Sequence, residues 1–324
     1  MNPPSINWDD LPPHHVTQGE IDAVFRNLGV AAGSVRVGVR REDIPPGGRP
    51  TPAHRHSYEE EIFYVLRGSG LSWQDGTTCE IGPGDCLSYP PGKRAHTVIG
   101  GPDGLDVLAF GERPLTEVTV MPRAATAWLG PTWADVGGDP HPWVRDEAAG
   151  PIPTPEPGER HRGIVNVEDV PPIEVAQGDS VFSRRPLTQA GGLVRTGLQH
   201  VRVEPGKLGF PPHCHSMQEE IFIVLEGEGS LLLYAAQPRP GASAWIPTPE
   251  PQEHALRPGS VVARPAGTAT AHAFRAGEAG MTYLAYGTRD TGEVTWYPRS
   301  RKVVFRGHML AARVEITDYW DGER

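Results

Sequence analysis

The stretch HRHSYEEEIFYVLRG, His54 to Gly68, sets two histidines one residue apart and then a run of three glutamates before an apolar segment. HCHSMQEEIFIVLEG, His213 to Gly227, repeats the arrangement. Imidazoles and carboxylates in one cluster are donors for divalent metals: imidazole suits Zn, Cu, Fe and Ni, and a carboxylate admits Mn. On an extended chain residues i and i+2 face the same way, so His54 and His56 project together. Glu61 has the wrong parity to share that strand. The chain must therefore turn within SYEE, and Glu61 opens the next strand facing back toward the histidines. A third imidazole, His96, follows the turn PPGKRA and can arrive from the opposite wall. His54, His56, Glu61 and His96 are thus one candidate metal set, and His213, His215, Glu220 and His272 are the second. Four protein ligands leave open positions on a six-coordinate ion, where a substrate can bind. Glu61 and Glu220 are also the candidate catalytic groups, because a carboxylate can move protons. Glu59, Glu60, Gln218 and Glu219 fall in the turns and are read as facing solvent or supporting the ligands. Cys214 lies between two ligands with opposite parity and is not counted among them.

The elements that must position these residues are written twice. INWDDLPPHHVTQGE (Ile6 to Glu20) returns as VNVEDVPPIEVAQGD (Val165 to Asp179), and His54 to His213 and Gly68 to Gly227 both differ by 159. His96 and His272, like Gly111 and Gly287, differ by 176, so the second copy carries an insertion of 176 − 159 = 17 residues, placed within Tyr234 to His254. EVTVMPR (Glu117 to Arg123) matches EVTWYPR (Glu293 to Arg299). Such self-similarity predicts two homologous domains, residues 1–126 and 164–324, joined by a Pro/Gly-rich linker over 127–163. PIPTPEPGE within the linker should be extended, while Trp128, Trp133 and Trp143 should pack against a domain. Gly and Pro make up 74 of 324 residues, which points to short strands and tight turns. SVRVGVR and LVRTGLQHVRV alternate like strands, and EIFYVLRG and EIFIVLEG are apolar runs closed by Gly. GPGD and RPGS mark turns. A short helix is expected over Gly19–Gly29. Phe63, Val65, Phe222 and Val224 share parity with the glutamates and should line the interior; Tyr64 and Ile223 should face outward. Arg36 and Arg195, paired by the repeat, should decorate an outer face or grip a substrate carboxylate. Cys86 is a candidate pocket residue.

The net charge of −10 argues against nucleic acid, whose phosphates need a basic surface. No apolar run approaches the roughly 18 residues of a membrane span, and the first residues, MNPPSINWDDLPPHH, do not read as a signal peptide. Three cysteines form no disulfide framework, and a reducing cytoplasm is the expected location.

These residues resemble the cupin superfamily, and the pair of copies resembles a bicupin. The first cupin motif, G-x5-H-x-H-x3-4-E-x6-G, is matched by Gly48, His54, His56, Glu61 and Gly68; in the second copy Lys207 replaces the first Gly, and His213, His215, Glu220 and Gly227 follow. The second motif, G-x5-P-x-G-x2-H-x3-N, is matched by Gly84, Pro90, Gly92 and His96 with one extra residue, and by Gly259, Pro265, Gly267 and His272 with two; Gly100 and Ala276 stand in place of the Asn. The resemblance implies an all-β chain of two tandem double-stranded β-helix (jelly-roll) barrels, with one divalent metal per domain and a small-molecule substrate. It also implies a homo-oligomer. Storage globulins of this superfamily resemble bicupins that have lost their ligands, and both sets are present here. Oxalate decarboxylases carry an Arg shortly before the paired histidines, where Thr51 and Phe210 stand in this chain; gentisate-type enzymes usually have a degenerate second site. The leading expectation is a dioxygenase-type oxidoreductase using Fe(II), with Mn, Ni or Zn as other metals, acting on a small oxygenated or carboxylated molecule. The alternatives are a non-oxidative isomerase or decarboxylase, and a cupin that binds or senses a small molecule without turnover.

Overall fold

The computed structural model describes residues 4–129, 132–135, 141–238, 245–247, 250–317 and 320–323. In the first half the strands are β1 (Ile6–Asn7), β2 (His14–Gln18), β3 (Ile21–Asn27), β4 (Val37–Ile44), β5 (Arg55–His56), β6 (Glu61–Gln74), β7 (Thr77–Ile81), β8 (Asp85–Tyr89), β9 (His96–Glu112), β10 (Val118–Met121), β11 (Thr126–Leu129) and β12 (Thr132–Asp135). Helix α1 (Leu28–Ala32) follows β3, and α2 (Pro142–Ala148) lies in the connector. The second half holds β13 (Ile164–Asn166), β14 (Ile173–Gln177), β15 (Ser180–Pro186), β16 (Thr196–Val203), β17 (Cys214–His215), β18 (Glu220–Tyr234), β19 (Ala236–Pro238), β20 (Trp245–Pro247), β21 (Gln252–Leu256), β22 (Ser260–Arg264), β23 (Ala271–Thr288), β24 (Val294–Tyr297), β25 (Lys302–Phe305) and β26 (Leu310–Arg313). The fold is all-β with two barrels. The expected helix over Gly19–Gly29 is a strand instead: Ile21, Ala23 and Phe25 are buried in alternation, a period of two that outweighs the helical propensity of the stretch. The inserted segment of the second copy, Tyr234 to His254, lies partly outside the described residues.

Each barrel has a large antiparallel sheet, β13-β8-β6-β9-β4-β3-β2 or β1-β22-β18-β23-β16-β15-β14, and a small one, β12-β11-β10-β5 or β17-β24-β25-β26. The long strands β6 and β9 bend together at register shifts between Val65/Arg67 and Gly68/Gly70, and β18 and β23 do so at Val224/Glu226 and Gly227/Gly229. Bulges of this kind let one strand serve both walls of a barrel. They also account for the motif glycines. Gly68 has φ +79°, and a Cβ there would sit inside the carbonyl of Gly104; Gly227, at φ +72°, meets Gly280 in the same way.

Alternation then sorts the side chains. Phe63, Val65, Val107 and Ala109 fill the first barrel, and Phe222, Val224, Tyr283 and Ala285 fill the second. The opposite face is not solvent. Tyr64, Cys86 and Phe110 join Ile221, Ile223 and Tyr286 in a shared core between the barrels. Tyr64 and Ile223 therefore point outward as the parity demands, yet are buried, and Cys86 belongs to this interface rather than to a pocket. The repeated Asn segments clasp the two halves: β1 pairs with β22 of the second barrel, and β13 pairs with β8 of the first. Polar contacts repeat the exchange. Glu60, 1% exposed, accepts from the backbone of Val194, Arg195 and Thr196, and Glu219 accepts from Val35 and Arg36. Arg36 donates to the carbonyl of Met217 (2.8 Å), and Arg195 to that of Tyr58. Glu60 and Glu219 are thus interdomain anchors and not solvent-facing turn residues, and Arg36 and Arg195 bind the other barrel.

Backbone strain and steric clash at these glycines can be separated by substitution. Gly47 has φ +74° with nothing near its absent Cβ, so Gly47→Ala should cost only the left-handed penalty of about 1–2 kcal/mol. Gly68→Ala adds a backbone clash and should cost clearly more in a urea unfolding titration. Equal losses for the two variants would contradict this account of the bulge.

Candidate functional site

Backbone hydrogen bonds bring the ligands of each set together. His54 and His96 exchange two of them, at 3.1 and 2.8 Å, and His213 and His272 do the same at 3.1 and 2.9 Å. His56 pairs with Thr119 and His215 with Thr295, which places each member of an H-x-H pair on a different neighbour. Glu61 and Glu220 begin β6 and β18 and face the histidines, as the parity argument required. Cys214 turns away into an apolar cluster with Leu208 and Leu232.

In the first set, Oε2 of Glu61 lies 3.5 Å from Nε2 of His54, 3.7 Å from Nε2 of His56 and 2.8 Å from Nε2 of His96. One donor atom from each of the four residues lies within 4.8 Å of all the others. In the second set His213, His215 and Glu220 form such a group. His272 stands beside it, with Nε2 3.2 Å from Oε2 of Glu220. The opposite ring nitrogens are engaged elsewhere. Nδ1 of His54 donates to the Pro52 carbonyl and Nδ1 of His213 to that of Pro211, both at 2.8 Å. Nδ1 of His96 faces the Arg94 carbonyl at 3.2 Å. Nδ1 of His56 lies 3.4 Å from Glu117, and Nδ1 of His215 lies 2.9 Å from Glu293. Occupying Nδ1 in this way leaves the Nε2 lone pairs for a ligand.

The donor atoms behave as if something were meant to sit among them. Nε2 of His56, His215 and His272 and Oε2 of Glu220 are buried with no hydrogen-bond partner among the described residues. Buried polar atoms are rarely left so, and a divalent cation would satisfy them. The residues therefore fit a metal in both barrels. Protonation states follow from the surroundings. Burial alone would raise the carboxyls of Glu61 and Glu220, but the imidazoles around them hold both well below the usual range. Burial pushes His96 and His213 down to about 4 and His272 to about 3. His56 and His215 oppose that trend. Burial would lower them, yet Glu117 and Glu61 hold His56 well above its ordinary value, and Glu220 and Glu293 bring His215 to about 9.

Glu117 and Glu293 are functional residues that a reading of the ligand motifs misses. Glu117 accepts backbone N–H groups from Ser57, Tyr58 and Glu59, and Glu293 accepts those of Met217 and Gln218. Each thus shapes the turn between H-x-H and Glu while orienting one histidine. Burial opposes ionisation of both, but the histidine and the turn amides bring each down to about 2. The signal was present as the repeated EVT triplet.

The surroundings of the two sets differ. Tyr89 stacks on His96 at 3.8 Å, whereas Arg264 occupies the matching strand position beside Glu220. The first set opens into a cavity of about 900 Å³. Glu59 lines it, with Oε2 3.5 Å from Nδ1 of His56, over Gly111, where any side chain would collide with that carboxyl. Burial pushes the Glu59 carboxyl up to about 8 against the pull of His56. Trp128 and Trp143 of the connector also line the cavity; the side chain of Trp133 lies outside the described residues. Helix α2, which carries Trp143, is tied down by its buried Asp146 to Arg49 and to Arg123 (3.3 Å). The stretch after α2 is extended along the first barrel, where Trp73 donates to the Pro153 carbonyl and Thr78 to that of Pro155.

Comparison with known proteins agrees with this geometry. Residues 40–104 and 199–285 each match the Cupin_2 family (Cupin domain), so both barrels are cupin domains and the chain is a tandem bicupin. Among solved structures it is similar to oxalate decarboxylase of Lactobacillus farciminis in a formate complex, at 13% identity and a TM-score of 0.58, over 89% of this chain and 87% of that one. Oxalate decarboxylase of Bacillus subtilis gives 14% identity and a TM-score of 0.56 over 88% and 76%. A curated relative, the uncharacterized protein MJ1618 of Methanocaldococcus jannaschii, is 40% identical over 57 residues, 18% of this chain; the match spans 45% of that relative's length. No helix among the described residues is long and apolar enough to cross a membrane.

Two outcomes test the site. Glu117→Gln should weaken metal binding by the first barrel by about 10–100-fold, the usual cost of losing a group that orients a ligand, read by competition with a chromogenic chelator. The second concerns pH. In the metal-free protein the raised His215 contributes stability that is full below about 6.5 and lost as pH rises through about 9. Metal binding needs that imidazole neutral, so the stabilisation conferred by added metal should grow over the same window. Thermal melts with and without Mn(II) across pH 6–9.5 should diverge; parallel curves would contradict the assignment.

Proposed function

We propose that this bicupin is a metal-dependent enzyme acting on a carboxylic acid, and that its reaction is non-oxidative decarboxylation with Mn(II). The observation that carries the reading is the complete set His54, His56, Glu61 and His96, three of whose members, His54, His56 and Glu61, line a cavity large enough for a small-molecule substrate. The structural neighbours that extend over both barrels support it. Their names give oxalate decarboxylation, and one describes Mn(II) centres in the Bacillus subtilis protein. The same ligand chemistry admits Fe(II) and oxidative cleavage, but no neighbour among these favours that reaction.

When bound, a divalent ion would be held by the three imidazoles and Glu61 and would act as a Lewis acid toward a substrate oxygen. The remaining work falls to the chain. Decarboxylation breaks the bond from the carboxylate carbon, releases CO₂ and requires one proton at the carbon left behind. Glu59 is the carboxyl placed to deliver it: it faces the cavity, Gly111 leaves it room, and it lies next to His56 without belonging to the metal set. Gln218 holds the equivalent position in the second barrel and has no proton to give. The first barrel is therefore the reactive one in this reading, and the second set serves the structure.

The test follows CO₂ release and dissolved oxygen together, with Mn(II)-loaded protein and a panel of small carboxylic acids. CO₂ without net oxygen uptake is expected. One dioxygen consumed per turnover would replace the reading with the oxidative one, and tight binding with neither would leave a binding protein. Glu59→Gln should lower kcat by about 10²–10⁴-fold, the range for loss of a general acid, with metal content unchanged.

A further inference from the structure

We propose that Arg40 determines specificity in the first barrel: it receives a second carboxylate, at the far end of a substrate whose other end reaches the metal set. The inference rests on the reading of the first barrel as a carboxylate site and specifies the molecule further, as a diacid longer than two carbons.

Arg40 lies on the inner face of β4 and lines the cavity that holds His54, His56 and Glu61. Its side chain is 40% exposed there, so part of the guanidinium is open to a ligand. The rest is fixed from below. Nη2 lies 2.9 Å from Oε1 of Glu42, and the guanidinium stands over the Phe25 ring at 5.3 Å. Glu42 is fully buried and has no hydrogen-bond partner of good geometry among the described residues, so Arg40, 2.9 Å away, is the cation that accounts for its presence inside the barrel. A guanidinium anchored at one nitrogen and over a ring keeps its remaining N–H groups for a ligand, and that planar fork suits a carboxylate.

The register sets the distance. Arg40 is opposite Ala109, Ala109 is opposite Phe63, and Glu61 is one pleat beyond Phe63. Two strand spacings and one two-residue step separate the Cα atoms of Arg40 and Glu61 by about 12 Å. The oxygens at the two ends of a two-carbon diacid are only about 3.5 Å apart by ordinary bond lengths. The Arg40 guanidinium turns from its Cα toward Glu42, which lies level with Val65 through Val107 and so one further pleat from Glu61; a ligand touching both the metal set and Arg40 is therefore longer, and the cavity of about 900 Å³ has room for it. The position is particular to one barrel. Gln199 and Val201 replace Arg40 and Glu42 in the second copy, where Arg184 donates to Gln199 (3.0 Å) instead. Arg113 also lines the cavity, but its counterpart Arg289 recurs in the second copy, each packed on a glycine, Gly38 or Gly197, so it belongs to the shared frame.

The experiment titrates Mn(II)-loaded protein calorimetrically with oxalate, succinate, glutarate, adipate and benzene-1,4-dicarboxylate, together with the monoamide of the best binder. Arg40→Gln strands the buried Glu42, so Arg40→Gln/Glu42→Gln is measured beside it, with melting temperature and metal content recorded for both. At least one longer diacid should bind more tightly than oxalate. It should lose about 10–100-fold in both variants and in the monoamide, the range for a charged hydrogen bond, while Arg40→Lys recovers part of the loss. Unchanged affinity in the double variant would overturn the proposal, as would failure of every longer diacid to bind, or oxalate binding with the same dependence on Arg40. Failure of the metal reading would show separately, as protein that retains no Mn(II).

Discussion

Each barrel of this protein is organised around one buried carboxylate surrounded by imidazoles. Removing a charged carboxylate from water costs several kcal/mol even after relaxation, so Glu61 and Glu220 are tolerable only where several donors converge on them. The rest of the structure supplies that convergence. The His54–His96 and His213–His272 backbone bridges close the barrel mouth, the bulges at Gly68 and Gly227 bend the long strands, and Glu117 and Glu293 orient the histidine that the bridges leave unsupported.

The two barrels answer the same requirement with unequal surroundings. Their ligands and bulges match nearly residue for residue, and so do the orienting glutamates. The layer beyond differs: Tyr89 against Arg264, Glu59 against Gln218, and the pair Arg40 and Glu42 against Gln199 and Val201. The connector adds to the difference, because Trp128 and Trp143 contribute to the first cavity. The two copies keep the same candidate ligand sets, while the residues around them differ.

The halves are also joined in a way that makes neither an independent unit. Strands β1 and β13 each complete the sheet of the opposite barrel, and the buried carboxylates of Glu60 and Glu219 are satisfied by the opposite backbone. Removing Glu60 would take the acceptor from three backbone N–H groups of the other barrel, and removing Glu219 from two. The apolar faces between them form one core, so distortion of one site is transmitted to the frame of the other.

Much of this was legible in the chain alone. The candidate metal sets follow from donor type, strand parity and repetition, which are local properties: a one-residue slip would turn a histidine to the wrong face. The motif glycines and the turns GPGD and RPGS are readable for the same reason. What tertiary structure decided is everything that depends on a partner far along the chain. Parity places Tyr64 and Ile223 on the outside of a barrel, but only the apposition of the second barrel buries them, and it takes Cys86, expected in a pocket, into the same interface. Glu60 looks like a solvent residue because its donors, the backbone N–H groups of Val194 to Thr196, lie more than a hundred positions away. The stretch Ile21–Asn27 became a strand because β2 and β4 were there to pair with it. Arg40 is one of many arginines in the sequence, and its place beside a metal set exists only because β4, β9 and β6 lie in register.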